Sequence, residues 1–141
     1  MTSIQPFHLA VPVNNLGKAR TFYTDTLGFP EGRSDTHWVD YNFFGHQFVI
    51  HEDKTHAPNP DAHSIVDGHE VPVPHFGVVL EWDAFHEFAK RLKEKHIAFI
   101  IEPYIRFKGK AGEQATMFFK DPSGNALEFK SFKDMTQIFA K

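Results

Sequence analysis

The chain reads twice. His8-Leu-Ala-Val-Pro-Val leads into an amphipathic segment, and His75-Phe-Gly-Val-Val-Leu leads into another. Each copy closes on a strand-like run with a second residue of metal-ligand type. These are His51 in Phe48-Val-Ile-His51 and Glu128 in Ala126-Leu-Glu128-Phe. A repeat constrains the fold strongly, because both copies must be the same supersecondary unit burying its apolar face in the same way.

The periodicities within the two copies agree. In the first, Leu9, Val11 and Val13 alternate with His8, Ala10 and Pro12, the period of a half-buried strand. Asn14 or Asn15 can cap the following helix, since an Asn side-chain oxygen accepts from free backbone N–H groups. Leu16, Ala19, Tyr23 and Leu27 share one helical face, and Gly28 fits the stop. A strand starting near Arg33, a stronger one over Trp38–Phe44, a turn at Gly45-His46 and a strand over Gln47–His51 complete the order β-α-β-β-β. In the second copy, Phe76, Val78 and Leu80 alternate from His75. Asp83 is the expected N-cap, and Phe85, Phe88, Ala89 and Leu92 form the helical stripe. Strands follow over Phe99–Arg106, with Pro103 marking an edge or bulge, then Gln114–Lys120 and Asn125–Phe132. Asp121-Pro-Ser-Gly124 is a turn, with φ fixed by Pro and the last position closed by Gly.

The expected organisation is one domain over 1–141. Module one covers about 5–52, a linker loop about 53–73, module two about 74–132 and a tail about 133–141. The linker is rich in Pro, His and Asp, a loop long enough to be functional or disordered. An apolar content of 41% with 16 Phe indicates a packed core. The net charge of -3 comes without a basic tract, which argues against nucleic-acid partners. With no Cys, disulfides, thiolate metal sites and a Cys nucleophile are excluded. No run approaches a membrane span, so a cytoplasmic protein with no membrane partner is expected.

Strand alternation groups the candidate ligands. If Leu9, Val11, Phe48, Ile50, Phe76, Val78, Leu127 and Phe129 face the helices, then His8, His51, His75 and Glu128 all project from the other side. A curled sheet would bring them together. Two imidazoles and one carboxylate with open positions are the donor set of non-haem Fe(II) oxygenases, and they also suit Mn(II), Ni(II) or Zn(II). On the same reasoning, Trp38 and Arg106 are candidate substrate contacts, and His51 and Tyr104 are candidate proton-moving groups. His46 reads as a turn residue, His56, His63 and His69 as loop residues, and His86 and His96 as solvated.

The segments His8-Leu-Ala-Val-Pro-Val, Ala19-Arg-Thr-Phe-Tyr23 with Leu27-Gly28, His75-Phe-Gly-Val and Asp121-Pro-Ser-Gly-Asn-Ala-Leu-Glu128 span almost the whole chain. With them the chain resembles the vicinal oxygen chelate superfamily of glyoxalase I, bleomycin-resistance proteins, fosfomycin-resistance enzymes and extradiol dioxygenases. The resemblance implies an α+β fold: two β-α-β-β-β modules forming a U-shaped, mostly antiparallel sheet around a metal site. It implies that His8, His75 and Glu128 hold one divalent metal per site, Fe(II) favoured. His51 matches an optional fourth-strand ligand position that is typically glutamate in glyoxalase I. The implied activity is extradiol-type dioxygenation of a small molecule bound through two adjacent oxygens, with a homodimer as the assembly. The alternatives are a glyoxalase-type isomerase or lyase and a drug-sequestering protein without catalysis.

Overall fold

The computed structural model describes residues 4–58, 61–66 and 68–141. They form two compact units. One comprises Met1–Pro58 with Asp121–Asn125, and the other Asn59–Lys120 with Ala126–Lys141. The strands are mostly antiparallel, in an α+β arrangement. Among the described residues no helix is long and apolar enough to cross a membrane.

The first unit holds β1 (His8–Val13), α1 (Leu16–Arg20), β2 (Glu31–Asp35), β3 (Trp38–Phe43) and β4 (His46–Glu52). Its sheet order is β1-β4-β3-β2, with β1 and β4 parallel and the rest antiparallel. Asn15 is the cap of α1, its side chain accepting from Lys18 N at 2.9 Å. The helix continues as a π-helical segment, Thr21–Thr26, and the predicted stripe of Ala19, Tyr23 and Leu27 is buried. Val39, Tyr41, Phe43, Phe48 and Ile50 are buried, and Tyr23 packs edge-on to Phe48 with ring centroids 5.0 Å apart. The odd-numbered residues of β3 face the core, while Trp38, Asp40 and Asn42 lie on the other side.

The second unit holds β5 (His63–Val66), β6 (His69–Pro72), β7 (His75–Phe76), α2 (Trp82–Glu94), β8 (Phe99–Arg106), β9 (Gln114–Lys120) and β10 (Ala126–Phe132). Its main sheet runs β7-β10-β9-β8, repeating the first unit's order, with β7 and β10 parallel. Phe85, Phe88, Ala89 and Leu92 are buried as the stripe requires. Phe88 meets Phe129 edge-on at 4.9 Å, and Phe129 stacks on Phe119 at 5.8 Å. Glu81, with no side-chain cap bond, occupies the N-cap position. Asp83 lies instead in the first turn, where its charge favours the helix dipole. The edge strand β8 shows register shifts around Pro103. A 3-10 helix, Met135–Phe139, follows and is capped by Asp134.

Two local features depart from the sequence expectation. The stretch read as a linker loop contains an antiparallel hairpin, β5 with β6. Val71 of this hairpin is buried with Ile101 and Phe118, and that burial holds it on the sheet. The strand beginning at His75 is also shorter than its alternation suggests. A Cβ on Gly77 would collide with the backbone oxygen of Glu128. The two backbones approach too closely there for a regular ladder, as a glycine inside a strand often signals. Pairing resumes as an isolated Val79–Lys130 bridge, in which Lys130 N donates to Val78 O at 3.4 Å and Leu80 N to Lys130 O at 2.8 Å.

The turn Asp121–Asn125 belongs to the first unit and is fastened by one buried carboxylate. Asp121 accepts from Tyr23 OH at 2.8 Å, Ser123 N at 2.8 Å, Asn125 N at 2.9 Å and Asn125 Nδ2 at 2.9 Å. The Asn125 amide also donates to Pro12 O at 2.7 Å, and Asn14 N donates to Ser123 Oγ at 2.9 Å. Burial, then the Asp121 charge, pushes the Tyr23 phenol well above its ordinary pKa, so it remains a donor. Replacing Asp121 by Ala strips four donors of their acceptor and should cost about 3 kcal/mol. Tyr23→Phe leaves the carboxylate three donors and should cost about 1 kcal/mol. Urea denaturation of both variants checks the order; equal losses would mean that the carboxylate does not organise the turn.

Candidate functional site

In the second unit, β10 and β9 place a carboxylate and a hydroxyl side by side. The turn pairs Lys120 with Ala126, so Glu128 lies opposite Phe118, and Thr116 opposite Lys130. These four residues share the face away from α2. Thr116 Oγ1 donates to Glu128 Oε2 at 2.6 Å. The other oxygen, Oε1, is 3.3 Å from His75 Nε2. The close approach at Gly77 brings this about, because it draws the Glu128 backbone against β7 next to His75.

The His75 ring is held from both sides. Its Nδ1 lies 2.6 Å from Pro72 O at the end of the hairpin, and its edge meets Phe118 at 5.0 Å. With Nδ1–H directed at Pro72 O, Nε2 faces Glu128: its proton donates to the carboxylate, and its loss would leave a lone pair for a ligand on a ring fixed by a backbone carbonyl. The hydrogen bond to Glu128 raises the His75 pKa above its ordinary value, against burial. Burial pushes the Glu128 carboxyl up, but bonds from His75 and Thr116 outweigh it, and the group sits below its ordinary value.

A cavity of about 170 Å³ opens beside this pair, within the second unit. Tyr104 and Arg106 line it with His75 and Glu128. Tyr104 packs on the Val71, Ile101 and Phe118 cluster, and its ring is 5.2 Å from that of His69. The Arg106 guanidinium lies over the Phe107 ring at 4.9 Å. Two of the expected ligands and two further candidate residues thus gather in one pocket.

The other candidates belong to the first unit. His8 opens β1 and is exposed, in register with Gln47. His51 lies opposite Trp38 on β3 and beside Pro12 on β1. His8 and His51 share a face, but four residues of strand separate their positions, roughly 13 Å. That is too far for both to bind one ion. The repeat also shows which β4 residue corresponds to Glu128. His75 pairs with Ala126, two residues before Glu128, and His8 pairs with Gln47, two residues before Val49. The fourth-strand position equivalent to Glu128 is therefore Val49, and His51 stands two residues beyond it. Among the described residues no three His, Asp or Glu side chains form a group that could hold a metal.

Thr116 and Lys130 are site residues that the sequence reading passed over, and His69, read as a loop residue, lines the pocket from β6. The signal for the first two was present: a turn at 121–124 fixes which residues of β9 oppose Glu128. The Asp67-Gly68 pair is a hairpin signal too, and it announces the strand that carries His69.

The sequence profile of the Glyoxalase/Bleomycin resistance protein/Dioxygenase superfamily matches residues 5–129. The chain belongs to this superfamily. A crystal structure of a glyoxalase/bleomycin resistance protein/dioxygenase from Alicyclobacillus acidocaldarius is 30% identical, covers 96% of each chain and superposes with a TM-score of 0.79. An integron cassette protein from the Halifax Harbour sewage outfall metagenome is 26% identical, covering 91% of this chain and 98% of its own, with a TM-score of 0.67. Lactoylglutathione lyase from Agrobacterium tumefaciens, 14% identical over 94% of this chain and 97% of its own, shares the fold with a TM-score of 0.62. No curated protein matches the chain. The superfamily contains glyoxalases and dioxygenases as well as resistance proteins, so membership alone leaves the reaction open.

Because the Gly77 contact is with backbone, Gly77→Ala should destabilise the protein by about 3 kcal/mol, the scale of severe overpacking. At Gly112 an added Cβ would meet nothing within 4 Å, and Ala there should change stability by about 0.5 kcal/mol or less. Thermal unfolding of the two variants tests this; a tolerated Gly77→Ala would refute the close approach.

Proposed function

We propose that the protein is a metal-dependent enzyme acting on a small molecule through two adjacent oxygens, of the extradiol dioxygenase type. The observation that carries the reading is the His75–Glu128 pair, buttressed by Pro72 O and Thr116. A neutral imidazole nitrogen and a carboxylate oxygen 3.3 Å apart, each oriented by its other atom, suit a divalent ion. His8 is the proposed third ligand, and Fe(II) is the favoured metal, with Mn(II), Ni(II) or Zn(II) as substitutes. When bound, the metal would act as a Lewis acid for the two substrate oxygens.

The chain's own groups supply the rest. Thr116 holds Glu128 so that Oε1 is turned toward His75. Tyr104, lining the same cavity, is proposed to move a proton at its hydroxyl. Arg106 and Trp38 are proposed substrate contacts. An apolar Val49 at the position equivalent to Glu128 supports a three-ligand set, which leaves more open positions than a glyoxalase-type site with a fourth carboxylate. His51 would then act off the metal, if at all. A homodimer in the cytoplasm is the proposed setting, and light scattering would reveal a monomer if the assembly is wrong.

Metal content and oxygen uptake with a catechol panel test the reading. Wild type should hold about one Fe(II) per chain and consume oxygen. His8→Ala, His75→Ala and Glu128→Ala should each lose stoichiometric metal. Thr116→Val, which frees the carboxylate, should weaken metal binding by about 10- to 100-fold. His51→Gln should leave metal affinity nearly unchanged. Full metal in Glu128→Ala would refute the ligand set, and a metal-loaded protein that consumes no oxygen with any catechol would refute the oxygenase assignment.

A further inference from the structure

We propose that the cavity beneath the β5–β6 hairpin selects single-ring aromatic carboxylates, with Lys130 as the carboxylate-binding residue. The inference deepens the reading of this cavity as the substrate pocket and rests on it. Three observations carry it: size, wall chemistry and charge.

The cavity of about 170 Å³ suits one ring, since a cavity of about 150 Å³ holds a benzene. One part of its wall is apolar. Val71 comes from the hairpin, Ile101 and Tyr104 from β8, and Phe118 from β9, packed as one cluster. The hairpin contributes Val66, His69 and Val71 to the lining.

The charge is positioned at one end. Lys130 lies two residues after Glu128 on β10, on the same face, and lines the cavity. Its ammonium is 5.4 Å from the Phe132 ring centroid, and no carboxylate lies within ion-pair distance of it among the described residues. Glu128, the acid lining the cavity, is already engaged by His75 and Thr116. An ammonium in a half-buried, largely apolar pocket lacks full hydration, and a substrate carboxylate restores its interactions with a charge-assisted hydrogen bond. Arg106 of β8 lines the cavity as well, so two cations stand against the one carboxylate of Glu128, a balance that favours an anionic ring.

Benzoate and its neutral isostere benzamide are the probes, titrated by calorimetry into the full chain without metal, so that no metal–carboxylate bond contributes. Benzoate should bind at least about tenfold more tightly than benzamide, the scale of one hydrogen bond to a charged group. Lys130→Gln should remove most of that preference and Arg106→Gln little of it, both variants still binding the two rings weakly, and Lys130→Arg should keep most of it. Equal affinity for the two probes, a preference that survives in Lys130→Gln, or no binding of either ring would overturn the proposal. The assay needs neither metal nor turnover. Retained benzoate selectivity alongside full metal content in Glu128→Ala would sink the metal reading alone. Correct metal behaviour without benzoate selectivity would sink this one alone.

Discussion

The buried Asp121 carboxylate is the interaction on which the arrangement of the second half-repeat depends. A carboxylate out of water is costly unless its oxygens are fully engaged. Four donors, from Tyr23, Ser123 and Asn125, meet that requirement at 2.8–2.9 Å. They fix the conformation of the turn, and the turn fixes the pairing of β9 with β10. That pairing places Phe118 opposite Glu128 and Thr116 one step away. A slip of one residue would turn Glu128 into the helix-side core and Phe129 out of it.

The two modules repeat the same strand order with different chemistry. In each, a histidine opens the first strand and pairs in parallel with the last. Two residues along the last strand stands Glu128 in one module and Val49 in the other. Only the module with the carboxylate has the glycine that allows close backbone approach, since the residue of β1 corresponding to Gly77 is Ala10. It is also the module that carries the hairpin, whose Pro72 carbonyl orients His75 and whose Val71 seals the aromatic cluster. Duplication gave both halves a framework, while the chemical features are concentrated in one.

Much of the framework is legible in residue patterns because it rests on short-range physics. Alternation at Leu9, Val11 and Val13, the stripe of Phe85, Phe88, Ala89 and Leu92, and the Asp-Pro-Ser-Gly turn each state a local preference that packing leaves in place. Reading failed where two preferences competed. The stretch about 53–73 looked like a loop because its Pro and His dilute the strand signal. Ile65 and Val66 remain exposed even in the hairpin, and the burial of Val71 is a long-range contact. Asp83 has cap chemistry, yet α2 begins two residues earlier than such a cap would set it, at Trp82 with Glu81 as its N-cap.

The sequence by itself determined the repeat, the helix faces, the turn and the residue types able to bind a metal, because these depend on neighbours a few positions apart. It also determined that Glu128 and His75 lie on the face away from the helices. Only the tertiary structure decided strand register. It set Val49, and not His51, at the position matching Glu128, and it bent the hairpin over Tyr104 and Phe118. Register in a parallel pair is chosen by packing across the whole sheet and by loops that carry no local code for it. For that reason the identity of the candidate ligands was readable in advance, and the pocket beside them was not.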